Sequence, residues 1–261
     1  MSGCEGYTAI ARIYDKLNAD ISYKNWADFV EASFDKYLGA RPELVLDLAC
    51  GTGSMALEMA SRGYDMIGVD GSEDMLNVAY ERSFGKGILY LCQDMRSFEL
   101  YGTVGAVLCC LDSINYLLSE EDVKKTFGLV HNYLDPNGLF LFDMNTPFKF
   151  ENIYSDNAYI LEDEMIYEGE DKPSAVFCGW QNQYNKESGI CDFYLSVFSE
   201  DEDGKYFRED EHQRERCYTL DTVKRLLSES GLELVGCFAD FDFSSPTDTT
   251  ERWYIAAIAR K

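Results

Sequence analysis

Three carboxylates and two glycines, set at the ends of successive apolar runs, are the residues of this chain best placed to do chemistry. Gly51 and Gly53 lie in the stretch Ala49-Cys50-Gly51-Thr52-Gly53-Ser54-Met55-Ala56. With Ala56 they satisfy G-x-G-x-x-G/A, a spacing that lets backbone approach a ligand where a strand gives way to a helix N-terminus. The simplest reading of such a turn is a dinucleotide site, but Asp47, four residues ahead of Gly51, argues otherwise. A carboxylate there faces a pyrophosphate unfavourably and suits a cationic group, an ammonium or a sulfonium. The contrast between repulsion and attraction amounts to a few kcal/mol at ~4 Å in a partly buried site. Asp70 ends the next run and can accept from both ribose hydroxyls of a nucleoside, whichever cofactor carries it. Asp94 ends the third, where it can accept from an adenine amino group while Met95 packs on the ring.

These residues need a scaffold of alternating strands and helices. From Leu44 onward the β-rich runs "LVLDLA" (44 to 49), "YDMIGVD" (64 to 70), "GILYLCQD" (87 to 94), "TVGAVLCCL" (103 to 111) and "GLFLFDM" (138 to 144) are separated by helical patterns at 54 to 62, 73 to 83 and 119 to 134. That alternation predicts an α/β, Rossmann-like parallel sheet with helices on both faces. Residues 5 to 38 read as helical, with one apolar stripe of Ile10, Ile13, Tyr14 and Leu17 and another of Trp26, Phe29, Val30 and Phe34. Core packing accounts for most of such a stripe, and its aromatics also suit a lid or pocket wall. Between 159 and 218 the pattern changes to long β runs with turn signals at Lys186 to Gly189 and at Asp203-Gly204, predicting an inserted antiparallel sheet. A helix at 219 to 230, a strand at 232 to 240 and the run "RWYIAAIAR" complete the main pattern, the last two strands pairing antiparallel. The expected division is therefore 1–150 with 219–261 as the main domain and 151–218 as an insertion.

Composition narrows the partners. The 261 residues carry a net charge of −24, and residues 151 to 211 hold seventeen acidic against four basic side chains. Such a surface repels phosphate backbones, so nucleic acid is not an expected partner. The acidic segment reads either as a solvated face or as attraction for a cationic substrate. Nine scattered cysteines without C-x-x-C spacing and only two histidines predict reduced, buried thiols, no disulfide framework and no metal site. No apolar run is long enough for a membrane span and no leader is evident, which sets the expectation of a cytoplasmic protein with no membrane partner.

Taken together, "LVLDLACGTGSMALEMASRGYDMIGVDGSEDML" and "LCQDMRSF" resemble the core of class I S-adenosylmethionine-dependent methyltransferases. The resemblance implies a seven-stranded sheet with its last strand antiparallel, S-adenosylmethionine as cofactor and S-adenosylhomocysteine as product. It assigns Asp47, Gly51 and Gly53 to the methionine end, Asp70 and Met75 to the ribose side, and Asp94 with Met95 to adenine, with Ala49 and Gly71 beside them. Within that superfamily, "YTAIARIYDKL", "QDMRSF", "DSINYL" and the late insertion resemble the aminosugar N,N-dimethyltransferases and, more distantly, the glycine N-methyltransferase type.

Methyl transfer is an in-line displacement at an already activated carbon, so the protein chiefly aligns the groups and excludes water. No single catalytic residue is marked by the sequence; the candidates are Tyr14, Asn115, Tyr116 and His212. Cys110 and Leu111 are expected to offer backbone contacts, Asp112, Asn115 and Tyr116 to face the acceptor, Tyr7 and Tyr14 to close over the methionine end, and Trp26 to add a wall. His212 reads as a base or acceptor ligand or, more commonly for such a residue, as a strand-surface histidine paired with a neighbouring acid, and Arg214 and Arg216 as structural partners of the acidic insertion or receptors for an anionic substrate group. The reading is a methyltransferase acting on a small-molecule acceptor, with an amine nitrogen favoured. Non-catalytic cofactor binding, a protein or RNA substrate, and a nicotinamide oxidoreductase are the alternatives. The inserted sheet serves an acceptor pocket or a homodimer contact.

Overall fold

In a computed structural model, which describes residues 10–11, 13–154, 158–165, 174–201 and 203–261, the chain forms two sheets. The elements begin with α1 (Tyr14–Leu17), α2 (Tyr23–Tyr37), β1 (Leu44–Leu48), α3 (Ser54–Ser61), β2 (Asp65–Asp70), α4 (Glu73–Arg82), β3 (Leu89–Cys92) and β4 (Val104–Cys109). After a 3-10 turn (Ser113–Tyr116) come α5 (Glu120–Tyr133), β5 (Leu134–Asn145) and α6 (Pro147–Asn152). The second sheet is β6 (Ala158–Met165), β7 (Ser174–Asn185), β8 (Ile190–Glu200) and β9 (Tyr206–Arg216), and the chain closes with α7 (Leu220–Glu229), β10 (Leu232–Phe238) and β11 (Arg252–Ala259).

The main sheet has seven strands in the order β10-β11-β5-β4-β1-β2-β3, all parallel except β11, which runs antiparallel to both neighbours. The order reverses between β1 and β4, and a ligand crevice opens at the carboxyl ends of strands at such a point. Strands buried on both faces explain why "LVLDL" and "VGAVLC" read as continuous apolar runs rather than alternating ones. One face is packed with Phe127, Phe140, Phe142 and Val130, the other with Trp26, Phe29, Val30 and Met59. The second sheet, β6-β7-β8-β9, is an antiparallel meander as the turn signals predict. Its buried side carries Val176, Phe193, Leu195 and Val197, which pack with Ile10, Ile13 and Phe150.

Three local expectations are corrected. Of the residues 5 to 38 read as helical, 5–9 and 12 lie outside the described residues and the others are not helical throughout: α1 stops at Leu17, and α2 starts afresh at Tyr23, where Ser22 accepts from the Asn25 amide as N-cap. The two apolar stripes consequently enter different cores, Ile13 against the second sheet and Trp26 against the first. The fourth strand ends at Cys109 rather than 111, because Leu111 and Asp112 adopt left-handed backbone conformations with φ of 61° and 53°. Helix α6, which the sequence reading missed, is capped by Thr146 with Pro147 in its first turn and buries Phe150 completely. Among the described cysteines, Cys92 is exposed and Cys217 and Cys237 are half-buried, whereas the other five are buried as expected. No described helix is long and apolar enough to cross a membrane.

Gly53 is glycine for packing as much as for the turn. Its φ is +74°, and a Cβ would lie 2.4 Å from the Tyr90 hydroxyl oxygen and 3.1 Å from the Ala79 Cβ. Gly53→Ala is expected to destabilise the fold by about 1–3 kcal/mol, read as a lowered urea midpoint with unchanged m-value.

Candidate active site

At the carboxyl ends of β1, β2 and β3, the glycine turn and the two following loops enclose a cavity of about 390 Å³. Gly51 and Gly71, Asp70 and Met75, and Asp94 and Met95 all lie on its wall, together with Ala49, Tyr14, Leu111, Tyr116 and His212. The sequence therefore placed most of its cofactor candidates in one space. Ala49 and Gly51 have positive φ, which turns the chain sharply off β1, and a Cβ on Gly51 would reach only Tyr14, at 3.9 Å. The Gly51 amide donates to Asp70 Oδ2 at 2.8 Å and the Ser72 amide to Oδ1 at 2.8 Å. Both oxygens retain lone pairs, so the carboxylate is oriented while still able to accept from a diol. Burial pushes the Asp70 carboxyl up, and the Ser72 and Gly51 amides oppose it.

Asp94 is held differently. Its carboxylate takes the Arg96 backbone amide at 2.8 Å and the Arg96 guanidinium, and these bonds hold it below the usual carboxylate range. Arg96, like Gln93, Leu117, Leu118 and Gln213, lines the cavity without having been singled out. For Arg96 and Gln93 the signal was their position beside Asp94, and for Leu117 and Leu118 their place directly after Tyr116; Gln213 arrives from a distant segment.

Asp47 is not on the wall. It lies behind the turn, 1% exposed, with Oδ2 lacking a hydrogen-bond partner among the described residues. Burial drives its carboxyl up to about 7, against the pull of the Ala56 amide. Gly53, Cys110 and Trp26 are also off this wall. Gly53 meets Tyr90, Cys110 belongs to the core, and Trp26 sits in an edge-on aromatic cluster with Phe29, Phe241 and Tyr254. Tyr7 lies outside the described residues.

A second cavity of about 600 Å³ adjoins the first, and Tyr14, Leu111, Tyr116 and Gln213 line both. Trp26 belongs to this second space, as do Asp112, Lys149, Tyr154, Glu215, Arg252 and Tyr254. Its floor is a buried polar network. Asp112 accepts from Arg252 Nη2 at 3.0 Å and from Asn145 Nδ2 at 2.7 Å, and its amide donates to Asp143 Oδ2 at 3.0 Å. Arg252 also binds Asp143, which is fully buried and pushed up to about 6 by desolvation. This network holds the two left-handed residues in place, each costing on the order of 1 kcal/mol or more.

The four catalytic candidates separate. Tyr14 faces both cavities, and burial raises its phenol well above the ordinary value, so it remains a neutral donor rather than a base. Tyr116 donates from its hydroxyl to Gln213 Oε1 at 3.0 Å across the junction. Asn115 is fully buried and structural: Nδ2 donates to the Arg216 carbonyl and Oδ1 accepts from the Asn145 amide. His212 sits on the rim, stacked on Tyr194 with centroids 4.7 Å apart and with Nε2 2.7 Å from Asp192 Oδ1, as the strand-surface reading expects. Arg214 lines the first cavity, and Arg216 donates to the Leu118 carbonyl.

The fold and this site define a class I S-adenosylmethionine-dependent methyltransferase. The chain belongs to that family. Residues 45–138 match the family model described as a methyltransferase domain. A protein of Geobacillus sp. (strain WCH70) that carries a methyltransferase name is 32% identical over 253 residues, covering 96% of this chain and 98% of its own. A solved structure described as an S-adenosylmethionine-dependent methyltransferase from Clostridium acetobutylicum ATCC 824 superposes with a TM-score of 0.81 at 28% identity, covering 97% of this chain and 98% of that one. A glycine/sarcosine N-methyltransferase of Halorhodospira halochloris is 26% identical over 235 residues, covering 87% of this chain and 78% of that protein.

The residues present fit S-adenosylmethionine. The preset Asp70 carboxylate suits a ribose, Asp94 and Met95 suit an adenine, and the orphaned Asp47 Oδ2 marks a place where nearby positive charge is favourable. A pH dependence follows. An approaching ammonium or sulfonium favours the ionised form of Asp47, whose carboxyl sits at about 7 in the free protein. Below that pH the carboxyl must lose a proton on binding, so S-adenosylhomocysteine affinity is expected to fall up to about tenfold per pH unit as pH drops below 7, and to level off above it. Calorimetry across this range checks it, and Asp47→Asn should flatten the profile.

Proposed function

We propose that this methyltransferase acts on a small molecule and transfers the methyl group to an amine nitrogen. The observation that carries the reading is the second cavity, which joins the first through Tyr14, Leu111, Tyr116 and Gln213 and is walled by carboxylates and aromatic rings. Its volume, about 600 Å³, lies within the usual range for small-molecule sites. The net charge of −24 opposes RNA. The N-methyltransferase name of the Halorhodospira relative supports nitrogen as the acceptor atom.

S-adenosylmethionine supplies, when bound, a methyl group already activated on a sulfonium. The chain's own residues orient and dry the reacting groups. The Gly51 and Ser72 amides preset Asp70, and Asp15 fixes α1 over the glycine turn by accepting from Thr52 Oγ1 at 2.9 Å and Ser54 Oγ at 3.0 Å while pairing with Arg82 at 2.7 Å. Tyr14, the residue before it on α1, is thereby held at the junction, where it closes one side and can donate to an acceptor. Tyr116 and Gln213 close the other. Holding donor and acceptor in one dry geometry is worth roughly 7–11 kcal/mol of barrier in well-oriented systems.

The test is S-adenosylhomocysteine release against matched panels of small amines, alcohols and thiols, with mass spectrometry of the products. Turnover confined to amines supports the reading. Turnover with alcohols or thiols alone, or none with any acceptor despite tight cofactor binding, sinks it.

A further inference from the structure

Among the described residues, five charged side chains line the second cavity: Asp20, Asp112, Lys149, Glu215 and Arg252. Asp20 is exposed, and Asp112 already pairs with Arg252, which also binds Asp143. Lys149 and Glu215 remain. They do not pair: among the described residues no carboxylate lies within 4.0 Å of the Lys149 ammonium, which donates to Asn145 Oδ1 at 3.1 Å and lies 5.1 Å from the centroid of the Tyr154 ring. Glu215, 3% exposed, accepts from Asn145 Nδ2 at 3.0 Å. Asn145, itself fully buried and clamped through its backbone amide to Asn115, thus stands between an ammonium and a carboxylate and holds them apart. Buried opposite charges are stable when they meet or when something else satisfies each of them.

Resting on the reading of an amine acceptor, we propose that the cavity is built for an amine that also bears an anionic group, with Lys149 receiving the anion and Glu215 receiving the amine. Tyr116 and Gln213 mark the junction with the cofactor space, and Glu215 follows Gln213 on the same face of β9, both side chains lining the second cavity. An amine at Glu215 is therefore near the junction. Lys149, on α6, comes from a different wall. At neutral pH the free acceptor is an ammonium, which has no lone pair to give. As its N–H bond breaks, the proton passes to a Glu215 oxygen and the bonding pair stays on nitrogen as the lone pair. That pair forms the new N–C bond as the methyl C–S bond breaks with its electrons left on sulfur, so the positive charge moves from sulfur to the methylated nitrogen. Burial and the neighbouring Asp112 raise the Glu215 carboxyl, opposed by Asn145, Lys149 and Arg252, which favours its taking a proton. Burial and Arg252 lower Lys149, against the pull of Asp112, Glu215 and Glu251.

The experiment is calorimetric titration of the protein already saturated with S-adenosylhomocysteine. One arm uses the amino acids glycine, alanine and β-alanine, a second uses phosphoethanolamine, and a third uses methylamine and ethanolamine, which lack the anion. Binding in the first or second arm, at least about tenfold tighter than in the third, is expected, and the tighter arm identifies carboxylate or phosphate. Lys149→Met should weaken that arm by about 10- to 100-fold while leaving S-adenosylhomocysteine affinity unchanged, which also reports a folded protein. Glu215→Gln should lower turnover at saturating acceptor by at least about tenfold, most strongly near neutral pH, with rates recovering as pH rises and the acceptor deprotonates by itself. Equal affinity in the third arm, no binding in any arm with S-adenosylhomocysteine in place, or indifference to Lys149→Met overturns the inference. Failure of S-adenosylhomocysteine to bind at all would overturn the cofactor reading beneath it as well.

Discussion

Asp70→Ala is expected to weaken S-adenosylhomocysteine binding by about 100- to 1000-fold, with a much smaller loss of stability. The carboxylate does two things in one place. It takes the Gly51 and Ser72 amides, each at 2.8 Å, and so ties the glycine turn to the loop after β2. It also presents its remaining lone pairs to the cavity, where a ribose diol can donate twice to a charged acceptor. Hydrogen bonds to a charged group contribute roughly 1.5–3 kcal/mol each, so two of them account for the expected range. Calorimetry measures the affinity and urea denaturation the stability. Asp70→Asn separates the two roles, since an amide oxygen can still take one backbone N–H but the charge is gone. If Asp70→Ala binds S-adenosylhomocysteine within about tenfold of the parent, the ribose assignment is wrong.

The second large effect is expected at a residue that carried no sequence signal. Arg252→Met should destabilise the fold by about 3–5 kcal/mol, because it leaves the fully buried Asp143 without its cation. Desolvation already raises Asp143 to about 6 with Arg252 in place, and without the guanidinium it should rise further. The sign of the pH effect follows. In the variant the folded-state carboxyl titrates well above its unfolded value, so the protonated form carries the stability, which is greatest below the unfolded pKa and lost as pH rises through the folded one. The deficit relative to the parent should therefore be smaller in mild acid than above neutrality, measured as urea midpoints across that range. A uniform deficit at all pH values would mean that the loss comes from packing rather than from the stranded charge. The double variant Arg252→Met with Asp143→Asn should recover only part of the stability, since it removes the fully buried stranded carboxylate but still leaves Asp112 without its cation. Because Arg252 also holds Asp112 at 3.0 Å, the single variant should loosen the acceptor cavity together with the left-handed turn at Leu111 and Asp112.

The main scaffold, and the strand-end residues that line the first cavity, follow from local sequence pattern. Asp70, Asp94 and Met95 were legible because each lies at or just past a strand end, and Met75 because it lies in the first turn of the helix that follows β2: local pattern sets the strand, and parallel crossovers bring successive carboxyl ends to one edge of the sheet. The antiparallel insertion was legible for the same kind of reason, through long β runs and short turns. Tertiary structure alone decided the depth of Asp47, whose spacing suggests a wall residue but whose packing behind the turn leaves it 1% exposed. It also decided that Asn115 is a buried clip, since its partners are the Arg216 carbonyl and the Asn145 amide, far apart in the chain. The second cavity was the least legible part. Lys149 comes from α6, Glu215 from β9 and Arg252 from β11, and no periodicity within any one of these segments reports what the others bring beside it. Local sequence fixes which way a strand or helix faces, but the meeting of three such faces is set by how the second sheet packs on Ile13 and Phe150, a long-range contact that exists only in the folded chain.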